Sequence, residues 1–103
     1  MTKNDLKKSV KREVEKYAVP SFNSQTFAAF DDNRGVYIVM SVVAAPTLDR
    51  AVPVVMARVE GDKVIIEADG TNKPLVDALV QAGIPPNKIV LAYEGENAPA
   101  SQS

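Results

Sequence analysis

Between Lys3 and Tyr17 the apolar residues are Leu6, Val10, Val14 and Tyr17, spaced by three or four, so a helix over residues 3–17 buries one stripe and leaves Lys7, Lys8, Lys11, Arg12 and Lys16 on its other faces. Thr2 stands three places before Asp5, the spacing at which a hydroxyl and an acidic side chain cap the free amides of a helix start. Ala18-Val19-Pro20-Ser21 ends the helix, because the residue before a proline avoids helical dihedrals.

The pattern then changes to short β-branched and aromatic runs separated by polar turns, which predicts strands. The first lies around Gln25–Phe30 and closes on Asp31-Asp32-Asn33-Arg34-Gly35, a turn in which the glycine supplies a positive φ. Val36–Val43 contains neither proline nor glycine and reads as a central strand. Residues 44–50 are a connector. Val52–Val59 follows, with Pro53 restricted to its beginning or to a sheet edge. Glu60-Gly61-Asp62-Lys63 then makes a tight hairpin into the run Lys63–Ala68.

The stretch from Asp69 to Leu91 is the most strongly marked. The chain turns at Asp69-Gly70, Thr71 or Asn72 offers a capping oxygen, and a helix starts near Pro74, whose missing N–H costs nothing there. Leu75, Val76, Leu79 and Val80 form its apolar stripe, with Asp77 and Gln81 outward. Gly83 is a left-handed stop, Ile84 packs back on the last turn, and Pro85-Pro86 forbids continuation. Ile89-Val90-Leu91 is a short buried strand. The order is helix, four-strand meander, helix, strand, which predicts an α+β fold with a mainly antiparallel sheet and helices on one face. Residues 1–93 make a single domain, and residues 94–103 read as a disordered tail.

Composition narrows the chemistry. At 103 residues with 46% apolar and 24% charged side chains, the chain supports one modest core. No apolar run approaches the roughly 20 residues that span a bilayer, and the basic start is not followed by a signal-peptide segment, so a cytoplasmic protein is expected. The sequence has no Cys and no His. That removes the standard structural zinc sites, the nucleophile systems built on imidazole and any thiolate chemistry. Gly70 and Gly83 are isolated and form no phosphate-binding loop, so no cofactor is expected. The net charge is −1, but residues 1–17 hold six basic and three acidic side chains, +3, leaving −4 for the remainder. Lys7, Lys11 and Arg12 are therefore a candidate docking face for a partner or for nucleic acid, although a solvated helix face explains them more simply.

Two carboxylate groupings invite chemistry. Asp31-Asp32 suggests a metal but is explained by the turn. Lys63, Glu67 and Asp69 fall on one side of a strand by the period of two, the arrangement of a metal-dependent nuclease; the simpler reading is an exposed strand face with Asp69 organising the turn. Glu67-Ala68-Asp69-Gly70-Thr71 also resembles the first motif of haloacid-dehalogenase-like phosphatases. The nucleophile position there is glutamate, and 36 residues after Glu67 are too few for that fold. Phe27, Phe30, Tyr37, Met40 and Met56 read as core. Phe22 and Tyr93 lie at element ends as interface candidates, and the Val52 strand reads as an exposed edge able to pair across a two-fold axis into a homodimer.

Asp69-Gly70-Thr71, then Leu79-Val80-Gln81-Ala82-Gly83-Ile84-Pro85, then Lys88-Ile89-Val90-Leu91 resembles the C-terminal signature of the XisI-like family, controlling factors for excision of a DNA element that interrupts a ferredoxin gene. The likeness runs back through Asp62–Ile66 and more weakly to the first helix. The family commonly has Gly-Trp after its second strand, Trp in the strand before Asp-Gly-Thr and Phe-His after the last strand. Here Val42-Val43, Ile65 and Ala92-Tyr93 stand in those places, so the chain reads as a divergent member. The resemblance implies a non-catalytic accessory factor that binds a nuclease-like companion protein and contacts DNA weakly or indirectly. Its structural motif would be Asp69, Gly70, Thr71, Gly83, Ile84 and Pro85. The rival readings are a homo-oligomeric structural or ligand-binding domain and a weak direct DNA-binding module.

Overall fold

The computed structural model describes residues 2–20, 24–43 and 50–96. Phe22, the connector residues 44–49 and the tail from Asn97 lie outside the described residues.

Helix α1 spans Lys3–Glu15 and begins with the expected reciprocal cap: the Asp5 N–H donates to Thr2 Oγ1 at 3.1 Å and the Thr2 N–H donates to Asp5 Oδ2 at 3.2 Å. These bonds favour the carboxylate and hold Asp5 below its ordinary pKa. The helix stops short of Tyr17 because the Tyr17 and Ala18 amides switch to i−3 bonds with Val14 and Glu15, a tighter last turn ahead of Pro20. Leu6, Val10 and Val14 are buried as the stripe requires.

Strands β1 (Ser24–Asp31), β2 (Val36–Val43), β3 (Ala51–Glu60), β4 (Lys63–Asp69) and β5 (Ile89–Leu91) form one sheet in the order β1-β2-β3-β4-β5. The first four are antiparallel, and β5 runs parallel to β4 after the crossover through α2 (Leu75–Gln81). Alternation sends Tyr37, Val39, Val55, Ala57, Val59, Val64 and Ile66 to the face under the helices. There they meet Leu6, Val10 and Val14 of α1, Leu75 and Leu79 of α2, and Ile84 and Ile89. Each such side chain removed from water contributes roughly 1.5–3 kcal/mol, which is what fixes the helices on that face.

Several expectations are corrected here. The Val52 strand, β3, is internal to the sheet, paired with both β2 and β4 from Val55 to Arg58, and only its first residues, Val52 among them, run past β4; among the described residues the long sheet edge is β1. Pro53 is tolerated because it lies beyond the end of β4, whose Asp69 is level with Val55, and beside a bulge that leaves Val54 without a register partner on β2. Phe27 is not core: it pairs with Met40 on the helix-free face and is 54% exposed, while Met40 and Met56 on that face are half-buried. Val80, placed on the apolar stripe of α2, is exposed, because seven residues make only two turns and Leu75 and Leu79 fill the contact. Residues 94–96, read as the start of the tail, are folded back: the Leu91 N–H donates to Glu96 Oε1 at 2.7 Å and the Glu96 N–H to the Leu91 carbonyl at 3.2 Å.

Candidate functional site

The start of α2 is built by one carboxylate. Asp69 Oδ1 accepts the Thr71 N–H at 3.0 Å and lies 2.7 Å from the Thr71 hydroxyl, while Oδ2 accepts the Leu75 N–H at 2.6 Å. Thr71 and Asn72, the expected caps, therefore yield that role to Asp69, six residues upstream of the first helical amide. Pro74 occupies the cap position itself and has no side-chain oxygen. The Thr71 hydroxyl also lies 2.8 Å from the Lys73 carbonyl, which accepts a hydrogen bond from the Tyr17 hydroxyl, so the turn is tied to the end of α1. Gly70 has neither a positive φ nor a close neighbour.

At the other end of α2, Gly83 has φ +104°, the Ile84 N–H reaches the Leu79 carbonyl at 3.1 Å and the Gly83 N–H reaches Val80 at 3.0 Å. This is the two-bond stop in which the residue after glycine packs on the helix, and Ile84 and Leu79 are both buried. Pro85 leads into the single 3-10 turn Pro86–Lys88 before β5.

Between the end of α1 and the start of α2 lies an open cleft of about 570 Å³, walled by Glu13, Lys16, Tyr17, Lys73 and Asp77 among others. Glu13 is expected beside Lys16 on a solvated helix face; the pairing is found, but the residue is buried, which the sequence reading did not anticipate. Glu13 is only 6% exposed, accepting Lys16 Nζ at 3.1 and 3.3 Å and Arg12 Nε at 3.4 Å. Its position three after Val10 and next to Val14 places it on the rim of the buried stripe, which was the available signal. Burial, and then the negative charge of Asp69, raise the pKa of both Tyr17 and Tyr93, which favours the protonated form of the Tyr17 hydroxyl that donates to the Lys73 carbonyl.

The basic face of α1 is turned to the β1–β2 loop. Lys7 Nζ donates to the Asp32 carbonyl at 3.0 Å and to Asn33 at 3.4 Å, and Lys11 Nζ pairs with Asp32 Oδ2 at 3.1 Å while standing 5.6 Å over the Phe30 ring. Tyr37 donates to Asp32 Oδ1 at 3.2 Å. Asp32 is consequently held below the usual carboxylate range, first by Lys11. Arg12 leans on Glu13. Lys7 and Lys11 thus fasten the helix to the loop, leaving Lys8 to line the outside of a shallow 310 Å³ hollow with them.

Lys63, Glu67 and Asp69 do not converge. A bulge pairs Met56 with Ala68 and Ala57 with Ile66, so Glu67 is the extra residue and the period of two breaks before Asp69. Glu67 pairs with Arg58 at 2.8 Å on the helix-free face, Lys63 donates to the Asn87 carbonyl at 3.2 Å, and Asp69 turns toward α2. Among the described residues no group of three or more acidic, His or Cys side chains is placed to hold a metal ion. Nor is any helix among them long and apolar enough to cross a membrane.

A four-strand meander closed by a parallel fifth strand, with two helices on one face and a carboxylate-capped turn before the second, defines a small α+β domain whose signature residues build the fold. The chain matches the profile of the XisI protein family over residues 2–101 and belongs to that family. It is similar to a XisI-like protein from Anabaena variabilis whose crystal structure is solved, with 23% identity and a TM-score of 0.79 over 95% of this chain and 90% of that one. It is also similar to the fdxN element excision controlling factor XisI of the same organism, with 20% identity and a TM-score of 0.72 over 98% of this chain and 99% of that one. Among curated protein sequences none matches the chain.

Proposed function

We propose that this protein is a non-catalytic accessory factor in the control of DNA element excision and that it acts by binding a nuclease-like companion protein. Membership of the XisI family across residues 2–101 is the observation that supports this reading. The carboxylates with a sequence pattern suited to catalysis have partners within this chain, Glu67 in Arg58 and Asp69 in the Thr71 and Leu75 amides, and this supports the reading. Chemistry then belongs to the companion, and this chain contributes a surface. The α1–α2 cleft and the outer side of Lys7, Lys8 and Lys11 are the surfaces offered.

The test is affinity purification of the tagged full chain from its own cells at low and high salt, read by mass spectrometry and a nucleic-acid stain. A companion of restriction-nuclease type retained at both salts, without nucleic acid, is the expected result. Salt-sensitive nucleic acid recovered without that companion overturns the proposal, since release of counterions from phosphate makes direct DNA binding fall steeply with salt.

A further inference from the structure

The two edges of the sheet are finished differently. β5 is three residues long, set between two single 3-10 turns, and Glu96 closes the Leu91 amide. β1 is eight residues long and runs in unbroken register with β2 from Ser24–Val43 to Asp31–Val36. From Gln25 to Phe30 it has no charge, no proline, no glycine and no bulge, the devices by which an edge is normally kept from pairing. Every second residue of such a strand directs its N–H and C=O away from the sheet. Midway along it, Phe27 is 54% exposed on the helix-free face, next to half-buried Met40.

We propose that β1 pairs antiparallel with β1 of a second copy of this chain, across a two-fold axis perpendicular to the sheet, to give one continuous sheet of both chains. Such an axis keeps each residue on its own face, so only residues of like parity along the strand oppose one another. Centred on Phe27, it sets Phe27 against the partner's Phe27, Gln25 against the partner's Ala29 and Thr26 against the partner's Ala28. The aromatic pair is the kind of cross-strand contact that stabilises a ladder. The charge pattern selects this occupant. Asp31 is the one charged residue of β1 and lies at its end, so in this register no like charges oppose, and an uncharged edge offers nothing to a strongly charged strand of another protein. The shared register also joins the half-buried Ile38, Met40 and Met56 of the two copies into one apolar band. The inference does not depend on the excision-control reading, because pairing is measured on the purified chain alone.

Sedimentation of the full chain over a range of concentrations tests it, with Phe27→Lys as the variant. The wild type is expected at about twice 11.1 kDa. Phe27→Lys raises the dissociation constant about a hundredfold, since it places two ammonium groups opposite each other at the axis. Phe27 lies outside the core cluster, so circular dichroism of the variant should match the wild type. Hydrogen exchange of the wild type provides a readout independent of the variant, with protection of amides 25–30 rising with protein concentration. A wild type that stays monomeric, a Phe27→Lys chain that dimerises as tightly as the wild type, or β1 exchange that ignores concentration each overturns the proposal.

Discussion

Asp69 and Leu75, six residues apart, are joined by a 2.6 Å hydrogen bond from the Leu75 amide to Asp69 Oδ2, so the last residue of β4 positions the first residue of α2. A seven-residue helix is too short to persist on its own propensity, and it depends on this cap and on the burial of Leu75 and Leu79. Asp69→Ala should therefore cost about 2 kcal/mol, by loss of a charge-assisted cap and of the Thr71 contacts together. Asp69→Asn, which keeps one acceptor, should cost roughly half of that. Urea unfolding of both variants decides the matter, and equal stability of Asp69→Ala and wild type would remove the cap from the account.

The two glycines that bracket this unit should behave oppositely. Gly83 sits at φ +104° with open space around a would-be Cβ, so Gly83→Ala costs about 1 kcal/mol through backbone strain alone. Gly70 does not have a positive φ and its surroundings are equally open, so Gly70→Ala should fall within about 0.5 kcal/mol of wild type. Thermal melts of the pair measure the contrast, and a larger loss at Gly70 than at Gly83 would reverse the assignment.

The Tyr37 phenol, fully buried and donating to Asp32 Oδ1, is pushed up from 10.0 to about 12 by burial and then by the Asp32 carboxylate. A folded pKa above the unfolded one stabilises the native state fully below the unfolded value and ceases to do so as pH rises through the folded value. Wild type should thus lose roughly 2 kcal/mol between pH 10 and about 12 that Tyr37→Phe does not lose. The difference between the two stability curves isolates this group from the lysines titrating in the same range. Parallel curves would refute the linkage.

Lys7 and Gly35 should be energetically coupled. Gly35 has φ +66°, and a Cβ there would stand 3.1 Å from Lys7 Cε and 3.4 Å from Val59 Cβ. Gly35→Ala is expected to cost about 1–2 kcal/mol, with about 0.5 kcal/mol of that recovered when Lys7 is also Ala. A double-mutant cycle by chemical denaturation measures the coupling. Strict additivity would mean that the Lys7 stem does not pack on the loop.

Local rules were sufficient wherever one element carried its own signal. The Thr2–Asp5 cap, the Leu6-Val10-Val14 stripe, the meander with its positive-φ Gly35 and Gly61 turns, and the Gly83-Ile84 stop all follow from spacing alone. What the sequence withheld were relations between elements. The extent of β4 is one such relation: the meander puts β3 inside the sheet, but β4 ends level with Val55, so the Val52 end of β3 is left with a neighbour on one side only. The bulge at Glu67 carries no proline or glycine, and without it Lys63, Glu67 and Asp69 appear to share a face. Phe27 has the composition of a core residue, and only the choice of helix-covered face makes it a surface one. The basic stripe of α1 was visible as charge, but its counterpart, the backbone of Asp32 and Asn33, has no side-chain signature.

The strand order also has a kinetic meaning. Strands β1 to β4 each lie beside their neighbours in the chain, so they can assemble by successive hairpin closures with little chain entropy lost at each step, and β5 then joins β4 through the longer α2 crossover. Helix α1 docks late, since it precedes β2 and β3 in the chain yet must settle on them. Until it does, Tyr37, Val39 and Val55 face water, and the half-made sheet is at its most vulnerable to aggregation.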